Sequence, residues 1–442
     1  MNKTDFLGTK PVPKLLFELV PPMMLVFLVQ AMYNIVDSVF VAKYSDTGLA
    51  ALSVIFPMQL LLLAFATGTG SGTNVMVSRF LGEKNKNEAE RFAFHGIILG
   101  IISWIAVSGI CLLALEWYLK LSADDAGIIS DGMAYGVIML VFSFGLFIES
   151  AATKILQAVG NMKIPMLALS AGAIFNVVFD YLLIFGKAGF PEMGIAGAAA
   201  ATVAGQILAM IITLLGLWKS SSLSIHPSKL EMNVFIKIYR AAIPNIVMQS
   251  LYTVYIFGLN LILGAFSAAA VTVLGIYYKL QSFFFIPLMG MEQAILPVVS
   301  YNYGKRDKKR IFDTLKYSCI ITGICMLIAA LCFILMPETL IGIFSKDEEI
   351  TAIGKIAFPI IGTSFIPATV TLLLPVYFQG IGKNVEGVFM SVMRQIVLFV
   401  PIAWALAFFG LGYVWLTFPI TETVTLFSGV VVLLKNKRIF TD

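Results

Sequence analysis

The chain has 442 residues, 59% hydrophobic and only 12% charged, with a mean hydropathy of +0.92. A soluble domain carries about 25% charged residues, so a water-facing surface cannot be covered and a soluble globular protein is excluded. The net charge of +5 sits in a few loops, where it reports membrane orientation and leaves nothing to assign to nucleic acid.

Apolar stretches longer than about 18 residues recur from end to end, and about twelve are visible. The first, 14–41, is interrupted by Pro21-Pro22 and carries the polar stripe Gln30, Tyr33, Asn34 and Asp37. Offsets of three, four and seven put those four side chains on one helix face. A charge at bilayer depth costs about 2.5–3.5 kcal/mol even on the lenient insertion scale, and marks an ion or substrate path. Pro21-Pro22 lie about 22 Å along the helix from Asp37, at 1.5 Å rise per residue. Proline removes a ladder hydrogen bond, so the pair is a candidate hinge.

The second run, 48–79, contains Gly68-Thr-Gly70-Ser-Gly72, which inside an apolar helix reads as close helix packing and not as a phosphate loop. After 92–115 comes 132–158, with Glu149 and Lys154. The run 164–186 holds Asn176 and, four residues on, Asp180; 194–218 holds Thr202. A polar linker, 219–234, precedes 235–263, 269–301, 311–335, 350–380, 386–408 and 411–434. Further embedded ionisable groups are Lys279, Glu292, Arg394 and Glu422, for which internal ion pairing is the plain expectation. In lipid every backbone group must bond within its own segment, so the runs are helices and the chain is an all-α polytopic membrane protein. No cleavable signal peptide is expected, because the first run is too long and a second span follows.

Alternate loops hold Lys84, Lys86 and Arg91; Lys219, Lys229, Lys237 and Arg240; Lys305, Arg306 and Lys308 to Arg310; and Lys435, Lys437 and Arg438. The opposite loops are poorer in cations and richer in acids such as Asp124, Asp125, Asp347, Glu348 and Glu349. This asymmetry predicts that both termini face the cytoplasm across the inner (cytoplasmic) membrane.

An internal repeat sets the architecture. Val77-Ser78 followed by Gly82 matches Val299-Ser300 followed by Gly304, and Gln157-Ala-Val-Gly160 matches Gln379-Gly-Ile-Gly382. The expected domains are therefore 1–218 and 235–442, joined by 219–234, with six spans each and a pseudo-twofold axis along the membrane normal. Asp37 aligns with Asn260 and Asn34 with Phe257, so a cation site belongs to the first half.

The four cysteines lack CxxC spacing and the two histidines are far apart in sequence, so no disulfide, zinc site or catalytic triad is implied. No GxxxxGK[ST] motif is present, which argues against coupling to ATP. Enzyme chemistry and an organic cofactor are not expected. Buried carboxylates with amide partners instead suit a site that takes up a positive ion and releases it, either a proton or sodium, a hard cation that prefers oxygen ligands.

The stripe ending Asn34-Ile-Val-Asp37-Ser-Val-Phe-Val, the turn Val77-Ser78-Arg79-Phe80-Leu81-Gly82, Gln157-Ala-Val-Gly160-Asn161 with Pro165-Met166, Asn176-Val-Val-Phe-Asp180 and Gly194-Ile-Ala-Gly197-Ala-Ala-Ala-Ala-Thr202 together resemble the multidrug and toxic compound extrusion (MATE) family, with details similar to its MepA-like or DinF-like bacterial branch. The resemblance covers nearly the whole chain. It implies a drug antiporter driven by protons or sodium, with two six-helix lobes around a central cleft. It also implies a cation site of Asp37, Asn176, Asp180 and Thr202, with Tyr33 and Asn34 beside it and Na+ at Asp37 and Asp180 when sodium is the coupling ion. The C-lobe carboxylates of another branch have no counterpart, since the corresponding spans offer Gln249 and Tyr377. Substrate contacts expected on this basis are Gln30, Gln249, Tyr277, Met289, Glu292 and Arg394. The partners would be the bilayer and lipophilic cations, with the chain monomeric. The competing expectation, a flippase for lipid-linked saccharides, calls for a cleft rich in arginine, and embedded cations here are few.

Overall fold

The computed structural model describes residues 5–219 and 223–437; residues 220–222 of the linker and Arg438 of the basic C-terminus lie outside the described residues. Every regular element among the described residues is a helix. Among the described residues nine helices are long and apolar enough to cross a membrane, or up to twelve if each of three bent pairs is one span. The bent pairs fall on the expected runs 132–158, 269–301 and 350–380.

The chain forms two compact units. One comprises the described residues up to Thr9 together with Pro22–Ile246, the other Lys10–Pro21 with Val247 to the last described residue. The first holds the short α1 (Phe6–Thr9), most of α2 (Val12–Tyr44), α3 (Asp46–Gly82), α4 (Lys86–Ser122), α5 (Ala126–Phe142), α6 (Phe144–Ala158), α7 (Lys163–Ile184), α8 (Ile195–Trp218) and the beginning of α9 (Met232–Gly264). Within α2 the boundary between units falls between Pro21 and Pro22; within α9 it follows Ile246, two residues after Pro244.

In this first unit α5 and α6 bend by 43° at Ser143. The carbonyl freed by the bend is not orphaned: Ser143 Oγ bonds to Leu140 O at 2.9 Å and shares a hydrogen with Ser108 Oγ at 2.8 Å. Hydroxyls re-satisfying broken backbone are what a bend in hydrocarbon requires. Apolar side chains such as Ile55, Leu62, Leu115, Leu140 and Phe147 fill the core. The glycines at 68, 70 and 72 are packing positions. A Cβ on Gly70 would stand 2.8 Å from Lys154 Cγ of α6, and one on Gly72 would stand 2.3 Å from Ile238 O of α9.

The second unit holds the rest of α9, then α10 (Ala268–Phe284), α11 (Ile286–Gly304), α12 (Lys308–Leu335), α13 (Pro337–Gly342), α14 (Glu348–Gly362), α15 (Phe365–Gly380), α16 (Asn384–Val392), a π-helix (Met393–Phe399), α17 (Val400–Ala407), α18 (Leu411–Val414) and α19 (Thr417–Lys437). The bend of 55° between α14 and α15 is again lined by hydroxyls: Thr363 Oγ1 bonds to Ile360 O and Ser364 Oγ to Ile361 O, both at 2.6 Å. Phe333 is the hub of the aromatic core, with Phe284, Phe358, Phe365 and Tyr277 around it. The widened π-turn ends where Pro401 enters α17. A proline there has no N–H to return to the preceding turn and crowds its carbonyl, which favours the wider helix.

Candidate functional site

The candidate site lies within the first unit and is assembled from α2, α5, α7 and α8. Its register between α7 and α8 comes from glycine. Gly172 and Gly205 touch so closely that a Cβ on either would lie 2.6 Å from the other's carbonyl oxygen. One turn from that contact, Asn176 of α7 (3% exposed) faces Thr202 of α8. One turn further, Asp180 is fully buried.

The Asn176 amide sits between the other two. With its nitrogen donating to Asp180 Oδ2 at 3.2 Å, its oxygen accepts from Thr202 N at 3.0 Å and from Thr202 Oγ1 at 3.1 Å, the orientation that satisfies every group. The amide thus gives the carboxylate a donor and fixes its rotamer.

Asp37 enters from α2. Its carboxyl group is within hydrogen-bonding reach of the Asp180 carboxyl. Rings hold α2 against α7 beside this contact: Phe40 packs on Tyr181 and Phe185, each with centroids 6.1 Å apart, and Tyr44 on Phe185 at 6.0 Å. Asp37 Oδ1 is buried and has no hydrogen-bond partner among the described residues. Tyr33, one turn earlier on α2, and Tyr135 of α5 lie in the field of both carboxyl groups. Tyr135 Oη accepts from Gln59 Nε2 at 2.7 Å, which leaves its own O–H to donate.

The electrostatics follow from the geometry. Two unit charges about 4 Å apart interact by about 4 kcal/mol at an effective dielectric of 20. Two carboxylates within hydrogen-bonding reach repel when both are ionised, a repulsion that a shared positive ion relieves, and Asp37 contributes an unpartnered acceptor oxygen. All the converging groups are oxygen donors or amides, a set that fits a proton or a hard cation such as sodium.

The remaining expected residues are distributed more widely. Asn34 is exposed, and its backbone carbonyl accepts from Ser38 Oγ at 2.8 Å. Gln30 and Pro22 are half-buried and Pro21 is exposed. In the second unit Gln249 and Glu292 are half-buried, and Met289 is exposed. Tyr277 is buried against Phe418 and Phe333. Arg394, on the π-helix, is buried and paired with Glu422 of α19 through Nε at 2.8 Å and Nη2 at 2.6 Å, while Thr371 Oγ1 donates to the other carboxylate oxygen. Arg394 also lies 5.6 Å from the Phe399 ring. Glu149 accepts from Thr153, one turn along α6. Gln59 is a lone polar residue in an apolar run, and the one polar neighbour of Tyr135 at helical spacing, Asp131, precedes the apolar run 132–158, so neither is marked by sequence.

Comparison with known proteins supplies a family. The MatE family model matches residues 22–182 and 244–405, one match in each half of the internal repeat. The multidrug export protein MepA of Staphylococcus saprophyticus is 25% identical over 434 residues, covering 95% of this chain and 93% of its own length. The probable multidrug resistance protein NorM of Thermotoga maritima is 23% identical over 422 residues, covering 92% and 89%. Among solved structures, a MOP superfamily transporter from Pyrococcus furiosus is similar with a TM-score of 0.92 at 21% identity, covering 100% of this chain and 99% of that one. An outward-facing multidrug resistance MATE family transporter superposes with a TM-score of 0.92 at 22% identity, covering 98% of each.

Proposed function

The chain belongs to the MatE family, and from that premise we propose that it is a multidrug efflux transporter exchanging lipophilic cations for protons or sodium ions by alternating access. The observation that carries this reading is the approach of Asp37 to Asp180 beside an unpartnered, buried Asp37 oxygen. Such a pair binds a positive ion more tightly when closed around it than when open. An ion with different affinities for two conformations shifts the balance between them. Asp37 and Asp180 hold the ion, Asn176 and Thr202 orient Asp180, and Tyr33 and Tyr135 supply hydroxyls around it.

The lysine- and arginine-rich loops support a placement in the cytoplasmic membrane with both termini inside. Entry of each positive ion then yields about 2.3 kcal/mol per 100 mV of membrane potential; a singly charged cation leaving in one-for-one exchange cancels that gain, so its export draws on the ion's concentration gradient or on more than one ion per cycle. The prolines at the unit boundary of α2 are the hinge. Of the expected substrate contacts, Gln30, Gln249, Met289 and Glu292 retain accessible surface. The reading makes the protein a transporter and not an enzyme, working as a single chain.

The test is accumulation of a fluorescent lipophilic cation in inverted membrane vesicles, with proton and sodium gradients imposed one at a time. Accumulation is expected under one of them and is abolished when it is dissipated. Uptake indifferent to both gradients overturns the coupling.

A further inference from the structure

Away from the carboxylate pair, the first unit contains a cleft of about 400 Å³, inside the range of about 300–1,000 Å³ usual for ligand sites. Its walls are Ile97 of α4, Leu214, Leu217 and Trp218 at the end of α8, and linker residues Leu223 to His226. The linker wall is built, not draped. Leu223 is buried, Ser224 N donates to Glu90 Oε1 at 2.7 Å, and Glu231 N donates to His95 Nε2 at 3.1 Å. Arg91 closes the arrangement by pairing with both Glu88 and Glu231.

Two features select the occupant. Trp218 is 83% exposed at the end of a membrane span, the position where tryptophan marks the headgroup level. The second is an uncommitted cation beside it. Glu88 and Glu231 share Arg91, and Glu90 holds Lys86 at 3.5 Å together with Ser224 N. Lys219, next to Trp218, has no ion pair among the described residues.

We propose that this cleft binds one anionic phospholipid from the leaflet at this end of the unit, its acyl chain on Ile97, Leu214 and Leu217 and its phosphate at Lys219 and His226. Apolar walls beside an unpaired lysine and a histidine at headgroup depth match an amphiphile with a negative head, as basic groups between membrane helices do for anionic lipids.

Trp218 is itself the probe. The chain has five tryptophans, and subtracting the emission of a Trp218→Phe variant isolates Trp218. In proteoliposomes, brominated phosphatidylglycerol is expected to quench that emission at about a fivefold lower mole fraction than brominated phosphatidylcholine, the ratio for about 1 kcal/mol per cation. Lys219→Gln is expected to bring the two curves together, and Leu214→Phe, which fills the cleft, to weaken quenching by both. Equal quenching by the two lipids in the wild type overturns the proposal without recourse to any variant. A headgroup preference that survives Lys219→Gln overturns the assigned phosphate contact.

Discussion

Gly172 and Gly205 meet backbone to backbone, and the reach of the Asn176 amide to Thr202, 3.1 Å, depends on that contact one turn away. Adding a side chain at either glycine wedges α7 from α8 before it disturbs anything else. Overpacking of this kind costs about 1–3 kcal/mol. Gly172→Val is therefore expected to lower the thermal unfolding temperature and to abolish export together. Gly109 of α4, around which a Cβ meets nothing within 4 Å, is the control: Gly109→Ala leaves export intact and is neutral or stabilising by about 0.5–1 kcal/mol. Equal behaviour of the two variants, in fluorescence-detected thermal unfolding and dye efflux, would remove the glycine contact from the argument.

Asp37→Asn keeps the volume and the neighbours of the carboxyl group but ends its use as a counter-charge. The variant is expected to insert and unfold like the wild type, yet to lose gradient-driven accumulation. A tenfold gradient of the coupling ion, worth about 1.4 kcal/mol per ion, then no longer contributes its tenfold to the concentration ratio sustained. Asp180→Asn behaves similarly in transport. Efflux from cells at matched expression decides the matter, and normal export by Asp37→Asn would exclude it from coupling.

Arg394 and Glu422 are a buried pair with a hydroxyl on the carboxylate. Removing one partner strands a charge, at a cost of about 3–5 kcal/mol, whereas replacing both with apolar residues of similar size is often near neutral. Arg394→Met and Glu422→Leu should each fail in thermal unfolding and yield, and the double variant should recover most of the loss. If the double variant is stable but no longer exports, the pair has a transport role beyond holding α19 to the π-helix. Full export by it leaves a purely structural role.

Pro21 and Pro22 stand where α2 passes from one compact unit to the other. Alanine at both positions restores helix hydrogen bonding, a change worth about 3 kcal/mol per residue in a helix interior. Pro21→Ala/Pro22→Ala is expected to hold or raise the unfolding temperature while slowing export. Unchanged initial rates of efflux would show that α2 does not bend there during turnover.

Much of the fold was legible because lipid enforces it. Length and apolarity placed the helices, and the three bent spans were each expected as one run. The site was legible where polar residues shared a helix face, as Tyr33 with Asp37 and Asn176 with Asp180 do. It was illegible where the partner stood alone on another helix: nothing local distinguishes Tyr135 or Gln59 from any polar residue in a span. Asn34 shows the reverse case, since it belongs to the stripe by spacing yet is exposed. The pairing of Arg394 with Glu422 joins residues 28 positions apart, and only tertiary packing chooses that partner over Lys279 or Glu292. The repeat was visible in the motifs, and the family model matches once in each half, but the exchange of helix beginnings between compact units was not, because no motif marks it.

That exchange bears on assembly. Lys10–Pro21 goes with the later half of the chain, where Arg310 donates to the carbonyl of Lys10, and the opening of α9 goes with the earlier half. A cut in the connecting segment would yield two polypeptides, each lacking a stretch of its own body and holding a stretch of its counterpart's. Like partners in a domain swap, such fragments complete themselves only by coming together. Co-produced pieces would then restore what neither achieves in isolation.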